Sequence, residues 1–244
     1  MILAVIPARY GSTRFPGKPL VDLGGRSLIH RVYAAVDTLG SVDRTVVATD
    51  DKRIYDHVRA FGGEAVMTAE DHPSGTDRVA EAAAQFPDAK LVLNVQGDEP
   101  FIRADQIQAV LDCFADPQTA IATLAAPVRD EHALLSPNVV KVVCDERGRA
   151  LYFSRHAIPF LRDIPIGRWI EEEKHLQHVG LYAFRANRLP ELTLLRPGAL
   201  EERERLEQLR WLAAGYQIQV AVTDRPSLGI DTPADLEEAL RRFS

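Results

Sequence analysis

Three strand-length apolar runs, Ile2 to Ile6, Thr45 to Thr49 and Leu91 to Gln96, alternate with helical patterns through the first half of the chain. None shows the every-other-residue polarity of a half-exposed strand, so each reads as a parallel strand covered on both faces. Between them Leu28, Val32, Ala35 and Leu39 share one helical face, with Ser27 placed as N-cap and Gly40 as the stop. A second helix from about Lys52 to Phe61 stops at Gly62-Gly63, a third runs from Thr76 to Phe86 before Pro87, and a fourth spans Asp105 to Phe114. Strand-helix repetition of this kind predicts an α/β fold, a three-layer Rossmann-like and mostly parallel sheet with right-handed crossovers. Ligands of such sheets sit beyond the carboxyl ends of the strands.

The second half changes character. Val139 to Cys144 and Ala150 to Phe153 flank Asp145-Glu146-Arg147-Gly148, a hairpin signal. A connector rich in proline and charge, 159 to 174, then leads to a strand near Val179 to Phe184, a helix from Glu201 to Ala214, a strand from Gln217 to Val222 and a last helix from Pro233 to Phe243. An antiparallel extension over 139–186 on a parallel core predicts a contact between two copies, hence a homodimer. The 244 residues suit a single domain.

The first strand runs into a loop from Pro7 to Arg26 that sets Arg9, Arg14 and Lys18 among Gly11, Gly17, Gly24 and Gly25. Glycines let backbone N–H groups approach an oxyanion, and the cationic side chains supply charge, which suits a polyphosphate. Lys18 is followed by Pro19 rather than Ser or Thr, and no G-x-G-x-x-G occurs, so neither a Walker loop nor a dinucleotide fingerprint fits. The plainer alternative is a solvated basic loop with Gly and Pro as turn residues. The net charge of −6 argues against nucleic-acid-coating or membrane-surface proteins. Cys113 and Cys144 have no metal-ligand spacing and read as reduced thiols. The N-terminal residues lack a basic leader, and no window approaches a membrane span, so a soluble, cytoplasmic protein is expected.

Two carboxylates are candidates for a metal. Asp98, in Gln96-Gly97-Asp98-Glu99-Pro100, falls at the carboxyl edge of the sheet, with Gly97 beside it to admit a ligand; a turn aspartate is the alternative. In Gly229-Ile230-Asp231-Thr232-Pro233-Ala234-Asp235, capping accounts for Thr232, Pro233 and Asp235 and leaves Asp231 over. One carboxylate or two, with phosphate oxygens, is the set Mg²⁺ prefers. In the segment after His72, Ser74 or Thr76 reads as the cap of the third helix, while the functional alternative is that Ser74, Gly75 and Arg78 line the rim of a nucleotide pocket.

Together, I-P-A-R-Y-G-S-T-R-F-P-G-K-P-L at 6–20, S-G-T-D-R at 74–78, N-V-Q-G-D-E-P at 94–100, A-L-Y-F-S-R at 150–155, L-E-Q-L-R at 206–210 and G-I-D-T-P-A-D-L at 229–236 closely resemble the 3-deoxy-manno-octulosonate (Kdo) cytidylyltransferases. The resemblance runs nearly end to end and is weakest over 160–177. It implies the nucleotide-diphospho-sugar transferase fold, a homodimer, and CMP transfer from CTP to Kdo for lipopolysaccharide synthesis, with two Mg²⁺ ions. By position it implies that Ala8, Arg9, Arg14, Lys18, Ser74, Gly75, Arg78, Gln96 and Asp98 meet CTP. Asp98 and Asp231 would hold metal, and Arg155, His178, Tyr182, Glu207 and Gln208 would meet Kdo. Residues 1–130 would then be mainly the nucleotide half, with 187–244 completing the sugar and metal site. Lys18, Arg14, Asp98 and Asp231 would carry the chemistry. Rival readings are a cytidylyltransferase for 8-amino-Kdo or sialic acid, and a noncatalytic nucleotide-binding module on the same fold.

Overall fold

The computed structural model describes residues 1–11, 15–225, 229–230 and 232–243. In chain order the main elements are β1 (Ile2–Ala8), α1 (Leu28–Asp37), β2 (Arg44–Thr49), α2 (Lys52–Ala60), β3 (Ala65–Met67), α3 (Gly75–Ala84), β4 (Leu91–Asn94), α4 (Ala104–Asp112), β5 (Ile121–Pro127), α5 (Glu131–Leu135), β6 (Lys141–Cys144), β7 (Ala150–Ser154), α6 (Trp169–Glu172), β8 (Leu176–Arg185), α7 (Leu189–Thr193), α8 (Ala199–Glu204), α9 (Gln208–Ala213), β9 (Ile218–Val222) and α10 (Pro233–Phe243). They group into two compact units, each assembled from separate stretches of chain.

The first unit comprises Met1–Ile107, Phe184–Thr193 and Ser227–Ser244. Its strands run in the order β3-β2-β1-β4, with every neighbouring pair parallel. Leu3 to Ile6 of β1 are fully buried, as continuous apolar sequence requires. Leu28, Ile29, Val32 and Val36 form the buried face of α1, and Ile54 and Val58 that of α2. Each such side chain contributes about 1.5–3 kcal/mol by leaving water. Ser27 caps α1 as expected, accepting from the His30 N–H, but the helix ends at Asp37, before the predicted Leu39, and the buried face includes Val36 instead.

Three residues beyond the end of β4, Gly97 packs against β1. A Cβ at Gly97 would lie 2.9 Å from the Pro7 carbonyl oxygen and 3.6 Å from Ile6 Cγ2. The oxygen belongs to a strand that cannot shift, so only glycine fits. Gly97→Ala is expected to cost about 1–3 kcal/mol and to lower Tm by several degrees. A melting curve matching that of the wild type would show that the backbone yields there.

The second unit comprises Gln108–Ala183 and Leu194–Pro226. In it β8 neighbours β5 and β5 pairs parallel with β9, while β6 pairs antiparallel with β7 and with β8. The predicted hairpin is therefore present, and Asp145 closes its turn by accepting from the Arg147 and Arg149 N–H groups. The connector folds over a small core of Val128, Leu134, Ala157 and Trp169. Both cysteines are free, and burial pushes the Cys144 thiol up to about 11, as befits an inert thiol.

One helix expected from the pattern is not continuous. Glu201 to Ala214 breaks at Arg205, which adopts a left-handed φ of 53° between α8 and α9. The Glu204 and Arg205 carbonyls, which a continuous helix would bond internally, instead accept from Arg155 Nε at 2.7 Å and Arg155 Nη2 at 3.3 Å. Tertiary hydrogen bonds thus outweigh a helical propensity worth only tenths of a kcal/mol per residue.

Candidate functional site

The first unit holds a cavity of about 300 Å³ at the carboxyl ends of β1 and β4. Ala8, Arg9, Lys18, Ser74, Gly75, Arg78, Gln96 and Asp98 all line it, together with Gly97 and His72. Two residues expected here, Arg14 and Asp231, lie outside the described residues.

Each wall follows from local sequence. Gly17, at φ 72°, turns the loop so that Lys18 begins a short 3-10 turn, and the Gly17 N–H returns to the Tyr10 carbonyl at 3.0 Å. Arg53 lies 3.3 Å from the centre of the Tyr10 ring and is itself held by both oxygens of Asp51, so α2 braces the loop from behind. Lys18 Nζ donates to Asp98 Oδ2 at 2.7 Å. The candidate phosphate cation and the candidate metal carboxylate are therefore partners, both partly exposed to the cavity. The Ile230 N–H donates to the Asp98 carbonyl at 2.9 Å, which anchors the segment before α10 on the same residue.

The α3 N-terminus forms the opposite wall. Ser74 caps it, accepting from the Asp77 N–H and donating to Asp77 Oδ2 at 2.6 Å, so the capping role of Ser74 coexists with a place in the cavity. Arg78 is buried, bonded to Thr68 Oγ1 at 2.5 Å and 3.3 Å from Asp50 Oδ1. Aligned N–H groups at a helix start, plus a fixed guanidinium, favour an anion. His72 is tied to Glu81, which also takes the Ala69 N–H at 2.9 Å; this fastens the approach to α3.

The expected sugar-binding residues lie in the second unit or begin its α9. Arg155, on the residue after β7, is half-buried and donates to the carbonyls of Glu204, Arg205 and Pro137. Three of the five guanidinium N–H groups are thereby used, leaving one on each terminal nitrogen, the number a bidentate carboxylate takes. Arg155 makes no ion pair among the described residues, so its charge is held by neutral carbonyls. Glu204 fixes its main chain, accepting from the Arg155 N–H at 2.9 Å and from Ser154 Oγ at 2.7 Å.

His178 and Tyr182 sit one above the other on β8, ring centres 5.2 Å apart, with Phe153 edge-on to His178 and Trp211 edge-on to Tyr182. Thr123 Oγ1 donates to the Leu181 carbonyl at 2.8 Å and so accepts from His178 Nε2 at 2.9 Å, which leaves Nδ1 as the acceptor of a neutral imidazole. Burial and, after it, the Glu207 carboxylate push the Tyr182 phenol up; Glu207 immediately precedes α9, and Gln208, buried, begins it. Among residues that the sequence motifs did not point to, Lys141 and Glu204 organise Arg155. The signal for Lys141 is a lone cation inside the apolar run Val139–Cys144.

Burial pushes the His178 pKa down to about 4, below its ordinary 6.5. The unfolded chain therefore takes the proton first: the full stability is present above about pH 6.5 and declines by about 3 kcal/mol as pH falls toward 4. Urea unfolding from pH 7 to 4 should fall more steeply for the wild type than for His178→Gln. Parallel curves would remove His178 from the acid response.

A cavity at the carboxyl ends of parallel strands, walled by a cationic loop and a helix N-terminus, defines an α/β protein built to hold a phosphorylated ligand. A family model described as cytidylyltransferase matches residues 3–218, and the chain belongs to that family. Its relatives narrow the branch. The 3-deoxy-manno-octulosonate cytidylyltransferase of Bacteroides thetaiotaomicron is 51% identical over 97% of this chain and 96% of its own. That of Parabacteroides distasonis is 49% identical over 98% and 96%. A solved structure of CMP:2-keto-3-deoxy-manno-octonic acid synthetase complexed with CTP is 41% identical, with a TM-score of 0.92 over 99% of this chain and 98% of that one. At 15% identity and a TM-score of 0.64, 4-diphosphocytidyl-2C-methyl-D-erythritol synthase from Anaerococcus prevotii shares the fold alone. No helix among the described residues is long and apolar enough to cross a membrane.

Proposed function

We propose that this chain transfers CMP from CTP to the anomeric 2-hydroxyl of Kdo, releasing pyrophosphate and giving CMP-Kdo for lipopolysaccharide synthesis, in the cytoplasm and as a homodimer. The observation that carries the reading is the Lys18–Asp98 pair facing a cavity edged by the α3 N-terminus, in a chain about half identical to relatives named for this reaction. Arg155, with two N–H groups left for a carboxylate, suits an acid sugar better than a sugar 1-phosphate.

In the reaction the Kdo hydroxyl oxygen bonds to the α-phosphorus, the bond to the β-phosphate oxygen breaks in line, and the hydroxyl proton leaves to solvent. Such transfers ask mainly for positioning and for neutralised charge. Lys18, with Arg14 and Arg9, would bind the triphosphate and oppose the charge growing on the departing pyrophosphate. Arg78 and Gln96 would border the cytidine, and Arg155, His178, Tyr182, Glu207 and Gln208 the sugar acid.

The donor chemistry at Asp98 suits Mg²⁺: a hard carboxylate faces the cavity, and no cluster of three or more ligating side chains occurs among the described residues, where this ion needs only one or two plus phosphate oxygens. Asp98 and Asp231 would hold it, with a second ion arriving on the triphosphate. When bound, Mg²⁺ supplies charge neutralisation and acidifies the attacking hydroxyl.

The test is pyrophosphate release from CTP and Mg²⁺ with and without Kdo, with UTP, 8-amino-Kdo and sialic acid as substitutions. Release with CTP plus Kdo, well above every other pairing, is the expected result. Faster turnover of another acid would reassign the sugar. Silence with all acids despite CTP binding would make the chain a nucleotide-binding module.

A further inference from the structure

Lys141 is wholly buried in β6, and no step above uses it. Its ammonium donates to the carbonyls of Val139 at 2.5 Å, Arg155 at 2.7 Å and Ser136 at 2.8 Å. An ammonium has three protons, so each has a main-chain acceptor and none remains for a ligand. Burial and the Arg155 guanidinium both push its pKa down. A buried charge among neutral acceptors is costly, and an apolar residue of similar length would often serve stability as well or better. What the ammonium adds is specific: it gathers three separated points of main chain onto one atom.

Those points converge on one side chain. One is the Arg155 carbonyl itself, and the other two, Ser136 and Val139, bound the turn that carries Pro137, whose carbonyl accepts from Arg155 Nη1 at 2.9 Å. Lys141 thus fixes where the Arg155 backbone starts and where one arm of its guanidinium ends. We propose that Lys141 is a positioning residue for the acid-sugar site, a buried ammonium that aims the two remaining Arg155 N–H groups at the substrate carboxylate without touching substrate. The inference rests on the reading of Arg155 given above. The three carbonyls that accept from the Lys141 ammonium all lie in the second unit, so its removal acts on the sugar acid rather than on CTP.

The experiment uses the full chain. Lys141→Met, Arg155→Gln and the double variant are compared for KM with Kdo, KM with CTP, kcat and Tm. For Lys141→Met the KM for Kdo is expected to rise about tenfold or more while that for CTP stays within about twofold. Because the effect passes through Arg155, the double variant should be no worse toward Kdo than Arg155→Gln alone. If Lys141→Met does not fold, Lys141→Gln, which keeps two N–H donors, carries the same test with a smaller loss. A lower Tm with both KM values unchanged, or losses that simply multiply in the double variant, would make Lys141 a structural staple and overturn the proposal. A wild-type enzyme that does not turn over Kdo overturns the substrate reading and this inference with it.

Discussion

Asparagine at position 98 is expected to lower kcat by about 10²–10³-fold while CTP affinity changes only a few-fold. Asp98 Oδ2 accepts from Lys18 Nζ at 2.7 Å, with the Asp98 carbonyl held by the Ile230 N–H. The amide keeps the shape, the main-chain tie and one acceptor but loses the charge. In the ground state that loss is small, because a partly exposed pair contributes little and the triphosphate meets Lys18 without its competitor. On the reading proposed above the loss in the transition state is large, because Lys18 would be less firmly placed and a bound Mg²⁺ would lack one anionic ligand. Steady-state kinetics beside direct CTP titration separates the two, and turnover equal to wild type would remove Asp98 from the chemistry.

Arg155→Gln should raise the KM for Kdo by about 10²-fold or more and leave CTP binding close to wild type, since a desolvated, hydrogen-bonded charge pair is worth several kcal/mol when one side is truncated. The same change frees the Glu204 and Arg205 carbonyls, so Tm should also fall. Arg155→Lys separates the two effects. Lysine restores a charge but not the planar fork, so it should recover only a minor part of the Kdo affinity. Full recovery by lysine would mean that charge alone is read there.

The parallel half of the fold was legible because its signals are local: a fully buried strand needs an unbroken apolar run, and Ile2–Ala8, Arg44–Thr49 and Leu91–Asn94 supply three. β3, only Ala65–Met67, is too short to stand out, and β5, Ile121–Pro127, contains three alanines, which are depleted in strands, so its run is a weak strand signal. The break at Arg205 was not legible, since its cause, the Arg155 side chain, lies 50 residues away in sequence. At the site, Arg9, Lys18 and Asp98 stood out by residue type and spacing. The capping and lining roles of Ser74 are equally compatible with S-G-T-D-R, and only the geometry shows that both hold. Lys141 was visible as a charge in an apolar run, but its significance depends on three carbonyls that no periodicity reveals.

The first unit draws on stretches from the beginning, the late middle and the last part of the sequence. During synthesis its opening strands emerge long before the residues that lock Asp98 from behind through Ile230. A partly made chain therefore displays the candidate phosphate loop without the closing tether, and loop-closure entropy delays the last contact further. The contact that holds Asp98 from behind therefore forms only after Ile230 has emerged, long after the strands that carry the cavity.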